Sequence, residues 1–201
     1  MSKYSFASEE IPYNKLEITD QAELQAAEAA ICHVRMLELS ISPVEGCFDF
    51  AHLREIHRRL LSDIYFFAGE LRTVDQAKDA SRFCQARYIE TAQAGIFSKL
   101  HGENYLCGLG KQEFVHRLAH YSGELNALHP FRDGNGRTLR IFLRQLSAHA
   151  GYHLMYHEAN AADLLRADIA AFFGDLTLLV AIFGKIVRPC VEGEEEVRSQ
   201  S

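Results

Sequence analysis

One stretch of the chain, His129 to Arg140 (HPFRDGNGRTLR), concentrates residue types suited to chemistry more than to core building. Gly134, Asn135 and Gly136 make a tight turn that runs into a periodic segment, read as a helix from Arg137 to Ala150. Successive backbone N–H groups at such a turn form an anion cradle that needs no side chain. Glycine lets a ligand's oxygens approach the backbone closely. Arg137 and Arg140, three residues apart, share a helix face and carry planar guanidinium groups that fork onto phosphate oxygens. Positive charge at a helix N-terminus opposes the dipole unless an anion sits there. One cradle and two arginines exceed the needs of a single group, so the pattern predicts more than one phosphate. Asp133 adds a hard oxygen; magnesium takes one or two protein carboxylates and completes its shell with phosphate oxygens and water. His129 can titrate near neutrality and act as general base. Phe131, alternating with these polar groups, is predicted to point into the core and anchor the loop. Together the residues describe magnesium-assisted attack on a nucleotide phosphate by a hydroxyl that His129 deprotonates. Composition and spacing leave open whether a nucleotidyl or a phosphoryl group moves.

Helices must position this stretch, because helical periodicity dominates the chain. Asp20 with Glu23 caps a predicted helix over DQAELQAAEAAICHVRMLEL, with Leu24, Ala27, Ile31 and Met36 inward. Pro43 and Gly46 interrupt it. A second helix, capped by Asp49, starts near Phe50 and puts Leu53, Ile56, Leu60 and Ile64 on one stripe. QAKDASRFCQA reads as a short hairpin or loop. Helices resume at RYIETAQAGIFSKLHG, at KQEFVHRLAHYSGELNAL, at the Arg137 segment, and at AADLLRADIAAFF and DLTLLVAIFGKIV. The reading is an all-α bundle with one small non-helical excursion near residues 73–84. It comprises an N-terminal extension (1–19), one domain (20–190) and an acidic tail (191–201) whose composition predicts disorder.

Composition narrows the class. With 201 residues and 48% hydrophobic content, the chain can bury one good core. A net charge of −6 argues against a broad nucleic-acid surface. No apolar run reaches the roughly 20 residues of a membrane span, and the N-terminus lacks a signal-peptide pattern. Five cysteines without a CxxC pair fit scattered thiols in a reducing cytosol. These features predict a soluble cytoplasmic protein. His116 and His120 have the spacing of a zinc pair, but Arg117 stands where a zinc protease needs glutamate, so they read as surface or packing residues. His149, His153 and His157 are separated by a helix end at Gly151. GLGK, Gly108 to Lys111, lacks the length and the Ser/Thr of a Walker A loop and reads as a turn.

HPFRDGNGRTLR matches in full the signature of the Fic (filamentation induced by cAMP) family, His-x-Phe-x-Asp/Glu-Gly-Asn-Gly-Arg-x-x-Arg. GCFDFAHLREIHRRLLSDIYFFAGELR and GELNALHPF also resemble Fic segments, so the likeness covers most of residues 20–187. It implies an all-α, Fic-type helical bundle with a small β-hairpin flap, and a protein adenylyltransferase that moves AMP from ATP to a Ser, Thr or Tyr hydroxyl. On that resemblance His129 is the base and Asp133 holds magnesium. Gly134, Asn135 and Gly136 form the anion hole, and Arg137 and Arg140 hold the β- and γ-phosphates. The flap, Lys78, Asp79, Ala80, Ser81, Arg82 and Phe83, aligns the target as an added strand. Gly136 favours AMP transfer, since the phosphorylating branch of the family has lysine there. Phe67-Ala68-Gly69 stands where the family often has Trp-Ala-Gly. ISPVEG, Ile41 to Gly46, is a near miss to the family's inhibitory Ser/Thr-x-x-x-Glu-Gly/Asn helix. Ile41 and Pro43 mark it instead as an ordinary loop. The chain therefore resembles the short bacterial Fic toxins whose inhibitory helix comes from a separate small antitoxin and whose targets are DNA gyrase and topoisomerase IV. The alternatives are a nucleotide-binding module without turnover and an enzyme that transfers a phosphoryl or other phosphate-linked group.

Overall fold

The computed structural model of the chain describes residues 11–78 and 81–190. The expected disordered tail, 191–201, and the flap residues Asp79 and Ala80 lie outside the described residues.

Helix α1 (Gln21–Ile41) begins where the Asp20 side chain accepts the Glu23 N–H, as the capping pattern predicts. Leu24, Cys32 and Leu39 are its buried positions, while Ala27, Ile31 and Met36 are half-buried. The inward stripe therefore lies slightly to one side of the predicted one. α1 ends at Ile41, and Ser42 to Asp49 form a non-helical connection with Glu45 exposed. ISPVEG is thus non-helical after Ile41, in keeping with Pro43. Helix α2 (Phe50–Leu61) is capped by Asp49 through the His52 N–H, and Leu53, Ile56, Leu60 and Ile64 are all buried. The hairpin follows as β1 (Ala77–Lys78) paired antiparallel with β2 (Ser81–Arg82). Then come α3 (Ile89–Gly102), α4 (Lys111–Leu128) and α5 (Asn135–His149).

Helix α5 starts two residues earlier than predicted. Gly134 takes the left-handed φ of 74° and its carbonyl accepts the Thr138 N–H, so helical hydrogen bonding already encloses Asn135 and Gly136. Gly151, at φ 85°, lies just past the end of the helix. The sequence reading missed a second ladder: β3 (Tyr152–Leu154) pairs antiparallel with β4 (Val187–Pro189), a segment far along the chain. Helices α6 (Ala161–Phe172) and α7 (Thr177–Ile186) lie between them in sequence.

Packing groups the chain into two compact units. The first, Met1–Ser98 with Leu125–Phe142, carries the whole HPFRDGNGRTLR stretch. Its core buries Leu60, Leu61 and Ile64 of the α2 region, and it also holds an aromatic group in which Phe48, His52 and Phe97 all approach Phe142 edge-on. The second, Lys99–Glu124 with Leu143–Ser201, buries Phe114, Tyr121 and Phe183, and stacks Phe114 on Tyr152 at 4.2 Å. There Gly123 lets α4 approach Ala171 within 3.6 Å of where a Cβ would stand. No helix among the described residues is long and apolar enough to cross a membrane.

Candidate active site

The HPFRDGNGRTLR loop joins the C-terminus of α4 to the N-terminus of α5, so it collects the free backbone groups of both ends. At α5, Asn135, Gly136 and Arg137 present N–H groups without a hydrogen-bond partner among the described residues. The Gly134 N–H is held by the Asp133 carboxylate. Three open donors at a helix N-terminus are groups that could receive an anion. The Asn135 side chain contributes differently. Its Oδ1 accepts the Phe131 N–H at 2.9 Å and its Nδ2 donates to the Phe131 carbonyl at 2.8 Å, so it clasps the loop and leaves only its backbone to the cradle.

Phe131 is 1% exposed and anchors the loop as predicted, stacked on the His57 ring at 3.9 Å and 7°. His57 is fully buried. Its Nδ1 accepts the Gly69 N–H at 2.8 Å, so its Nε2 carries the proton and donates to the Asp133 carbonyl at 2.9 Å. Burial lowers its pKa to about 4, which keeps the ring neutral in this role. His57 thus ties the Phe67-Ala68-Gly69 turn to the loop. The sequence shows the histidine but not its partner, which is 76 residues away.

His129 takes a left-handed φ of 44°, unusual for a residue with a side chain. Its Nδ1 faces the Asn126 carbonyl at 3.3 Å, and a carbonyl can only accept, so the proton resides on Nδ1. Nε2 is left as the basic nitrogen. The Phe83 ring of the hairpin stacks on the imidazole at 3.7 Å and 14°. Arg82, which precedes it and ends β2, is exposed.

The two arginines differ. Arg140 is exposed and has no ion-pair or hydrogen-bond partner among the described residues. Arg137 is half-buried and paired with Glu28 of α1. It also reaches Cys32 Sγ at 3.2 Å and lies 3.5 Å from Asp133. Glu28 in turn accepts the Tyr65 hydroxyl. Shared spacing puts both arginines on one face, but only Arg140 is unpaired. Glu28, Tyr65 and Cys32 escaped the sequence reading because nothing local distinguishes them. Burial, and then the Glu28 charge, push the Asp133 carboxyl up. Its side chain is nevertheless 56% exposed beside the open N–H groups, as a hard-oxygen ligand for a phosphate-bound magnesium ion should be. Among the described residues no group of three or more His, Cys, Asp and Glu could hold a metal by itself.

The sequence model of the Fic/DOC family matches residues 47–147. The chain is 42% identical over 172 residues to the protein adenylyltransferase VbhT of Bartonella schoenbuchensis, a match covering 86% of this chain but 36% of that protein's length. It is 40% identical over 192 residues to the "Probable protein adenylyltransferase Fic" of Escherichia coli K12, covering 95% of this chain and 94% of that protein. Among solved structures, the N-terminal Fic domain of a cell filamentation protein from Bartonella quintana, with bound ADP, superposes with a TM-score of 0.86 at 26% identity, covering 93% of this chain and 94% of that one. BepC of Bartonella tribocorum, with bound AMPPNP, shares the fold at a TM-score of 0.85 and 24% identity, covering 94% of this chain and 97% of that one. With the full motif at the joint of two helices, the family model matching half of the chain and the Escherichia coli relative matched along 94% of its length, the chain belongs to the Fic/DOC family.

Proposed function

We propose that the chain is a protein adenylyltransferase that moves AMP from ATP to a Ser, Thr or Tyr hydroxyl of a target protein. The observation that carries this reading is the set of three open N–H groups at the start of α5, in the same loop as a His129 whose basic nitrogen is Nε2. The relatives named protein adenylyltransferases support it.

The polyphosphate sits on the Asn135, Gly136 and Arg137 N–H groups with the exposed Arg140 as its counter-charge. Nε2 of His129 takes the target hydroxyl's proton. The freed oxygen forms a bond to the α-phosphorus, the bond from that phosphorus to the bridging oxygen breaks, and pyrophosphate leaves with the electron pair. Asp133 is the residue that would hold magnesium, which when bound neutralises phosphate charge. Gly136 keeps the entrance to the cradle free of a side chain. The hairpin strands supply an edge along which the target backbone can align.

The finer reading is a toxin of a toxin–antitoxin pair, acting in the cytoplasm. Its targets are the ATPase subunits of DNA gyrase and topoisomerase IV, and its partner is a small antitoxin carrying a Ser/Thr-x-x-x-Glu-Gly/Asn helix. Similarity of the sequence to short Fic toxins supports it. Incubation with α-labelled ATP, magnesium and bacterial lysate tests the function. A labelled protein band of topoisomerase-subunit size, absent with His129→Ala, is expected. Nucleotide binding without transfer to any protein would overturn the reading in favour of a binding module.

A further inference from the structure

Arg72 is 5% exposed, yet no carboxylate pairs with it among the described residues. Asp75 acts on it only from beyond salt-bridge distance, and a buried guanidinium without a paired carboxylate is costly, so its acceptors must offset that cost. Four carbonyls do so. Nε donates to His129 O at 2.7 Å, Nη1 to Val74 O at 2.8 Å, and Nη2 to Cys84 O and, at 3.4 Å, to Leu128 O. Its backbone N–H also donates to Pro130 O at 3.0 Å.

These acceptors form a pattern. Leu128 and His129 end α4, where orphan carbonyls and the negative end of the dipole favour a cation. Val74 and Cys84 flank the hairpin on its two sides. The Cys84 N–H meanwhile donates to Ala127 O at 2.9 Å, and His129 Nδ1 faces Asn126 O. Each of the last carbonyls of α4 is therefore taken by the hairpin flank, by Arg72 or by the histidine itself. The planar fork spans acceptors that a single ammonium could not reach together.

We propose that Arg72 is a positioning residue that locks His129 in its left-handed conformation and fixes both flanks of the hairpin to the same point. The base and the strand edge then behave as one rigid piece. Phe83 reports that register: its ring lies on the imidazole only if Cys84 is held against Ala127. The catalytic consequence rests on the adenylyl-transfer reading above; the structural one does not.

The test compares wild type with Arg72→Lys and Arg72→Met. The expected result is a fall in kcat of about 100-fold, the cost of displacing a reacting group by roughly an ångström. Nucleotide affinity should stay within about twofold, since Arg72 touches no part of the cradle. In wild type, ¹⁵N chemical shifts of the His129 ring should show a protonated Nδ1 and an unprotonated Nε2, and in the variants a mixture of tautomers. An unchanged kcat and an unchanged ring signature in a folded variant overturn the proposal. Equal losses of kcat and affinity overturn it too, because they mark a merely structural role. Hydrogen exchange of wild type decides the matter if neither variant folds. The Arg72, Cys84 and His129 amides should exchange at one common rate, and a Cys84 amide exchanging orders of magnitude faster than His129 overturns it. If wild type transfers no AMP, the functional reading fails while the ring signature and exchange rates still decide the role of Arg72.

Discussion

The glycines at the two ends of the Gly-Asn-Gly turn predict opposite consequences for the same substitution. A Cβ on Gly134 would lie 2.6 Å from Leu61 Cδ1 and 3.4 Å from His57 Nε2, on a backbone at φ +74°. The left-handed conformation costs an alanine about 1–2 kcal/mol, and overpacking against a buried leucine adds about 1–3 kcal/mol. The reduced entropy of the unfolded chain returns about 0.4–1 kcal/mol. Gly134→Ala should therefore lose about 2–4 kcal/mol of stability, lowering Tm by on the order of 10 °C in a chain of this size. A Cβ on Gly136 meets nothing within 4 Å, and that position is helical. Alanine there should be neutral or stabilising by up to about 1 kcal/mol. Helical Cβ atoms tilt toward the N-terminus, however, so this methyl points at the space in front of the open N–H groups. Loss of one charge-assisted hydrogen bond to phosphate costs about 1.5–3 kcal/mol, a roughly 10- to 100-fold weaker affinity. Thermal unfolding and calorimetric titration with a non-hydrolysable ATP analogue measure both effects. A Gly136→Ala protein that binds nucleotide as wild type does, or that unfolds as early as Gly134→Ala, would refute the placement of the phosphates.

Four further expectations concern other residues. Arg140→Ala should leave stability within about 0.5 kcal/mol, because the side chain is exposed and unpaired among the described residues, yet weaken nucleotide binding at least about tenfold. Glu28→Gln should instead cost about 2–3 kcal/mol in urea unfolding, because it removes the closer carboxylate partner of the half-buried Arg137 charge and leaves only the longer contact to Asp133; equal stabilities for the two variants would dismiss the distinction between the arginines. His57 has a folded pKa of about 4 against an ordinary 6.5, so the unfolded chain binds more protons between those values. The associated stability is complete above pH 6.5 and is lost as pH falls toward 4. About 1.5 kcal/mol should disappear between pH 6.5 and 5, and His57→Gln should flatten that slope. A slope unchanged by the substitution would refute the buried neutral ring. Cys32 is buried with its thiol pushed up by burial, whereas Cys47 is exposed, so iodoacetamide followed by peptide mass analysis should find Cys47 modified long before Cys32.

The site was legible where its parts are contiguous in sequence. A dozen residues carry the open N–H groups, His129 and Asp133, and helix-terminus physics alone assembles them. Phe131 was legible for the same reason, through alternation with polar neighbours. What supports the site was not. His57, Arg72 and Glu28 meet the loop across 76, 57 and 109 residues of sequence, and none carries a local signature of its partner. The arginines show the limit most plainly: spacing gives them a common face, while only the fold decides that one is paired with Glu28. The helices followed from periodicity and caps, with Asp20, Asp49 and Gly151 marking ends where expected. The β3–β4 ladder did not, because strands of three residues offer too short a pattern to read and their pairing is long-range.

The proposed adenylyl transfer with His129 as base is most directly tested by intact-mass measurement of the proposed target, the purified ATPase subunit of DNA gyrase, after incubation with the protein, ATP and magnesium. The account predicts an increase equal to one AMP on a hydroxyl side chain, with release of pyrophosphate and no increase with the folded His129→Ala protein. An increase equal to a phosphoryl group, or an AMP adduct formed equally well by His129→Ala, would contradict it.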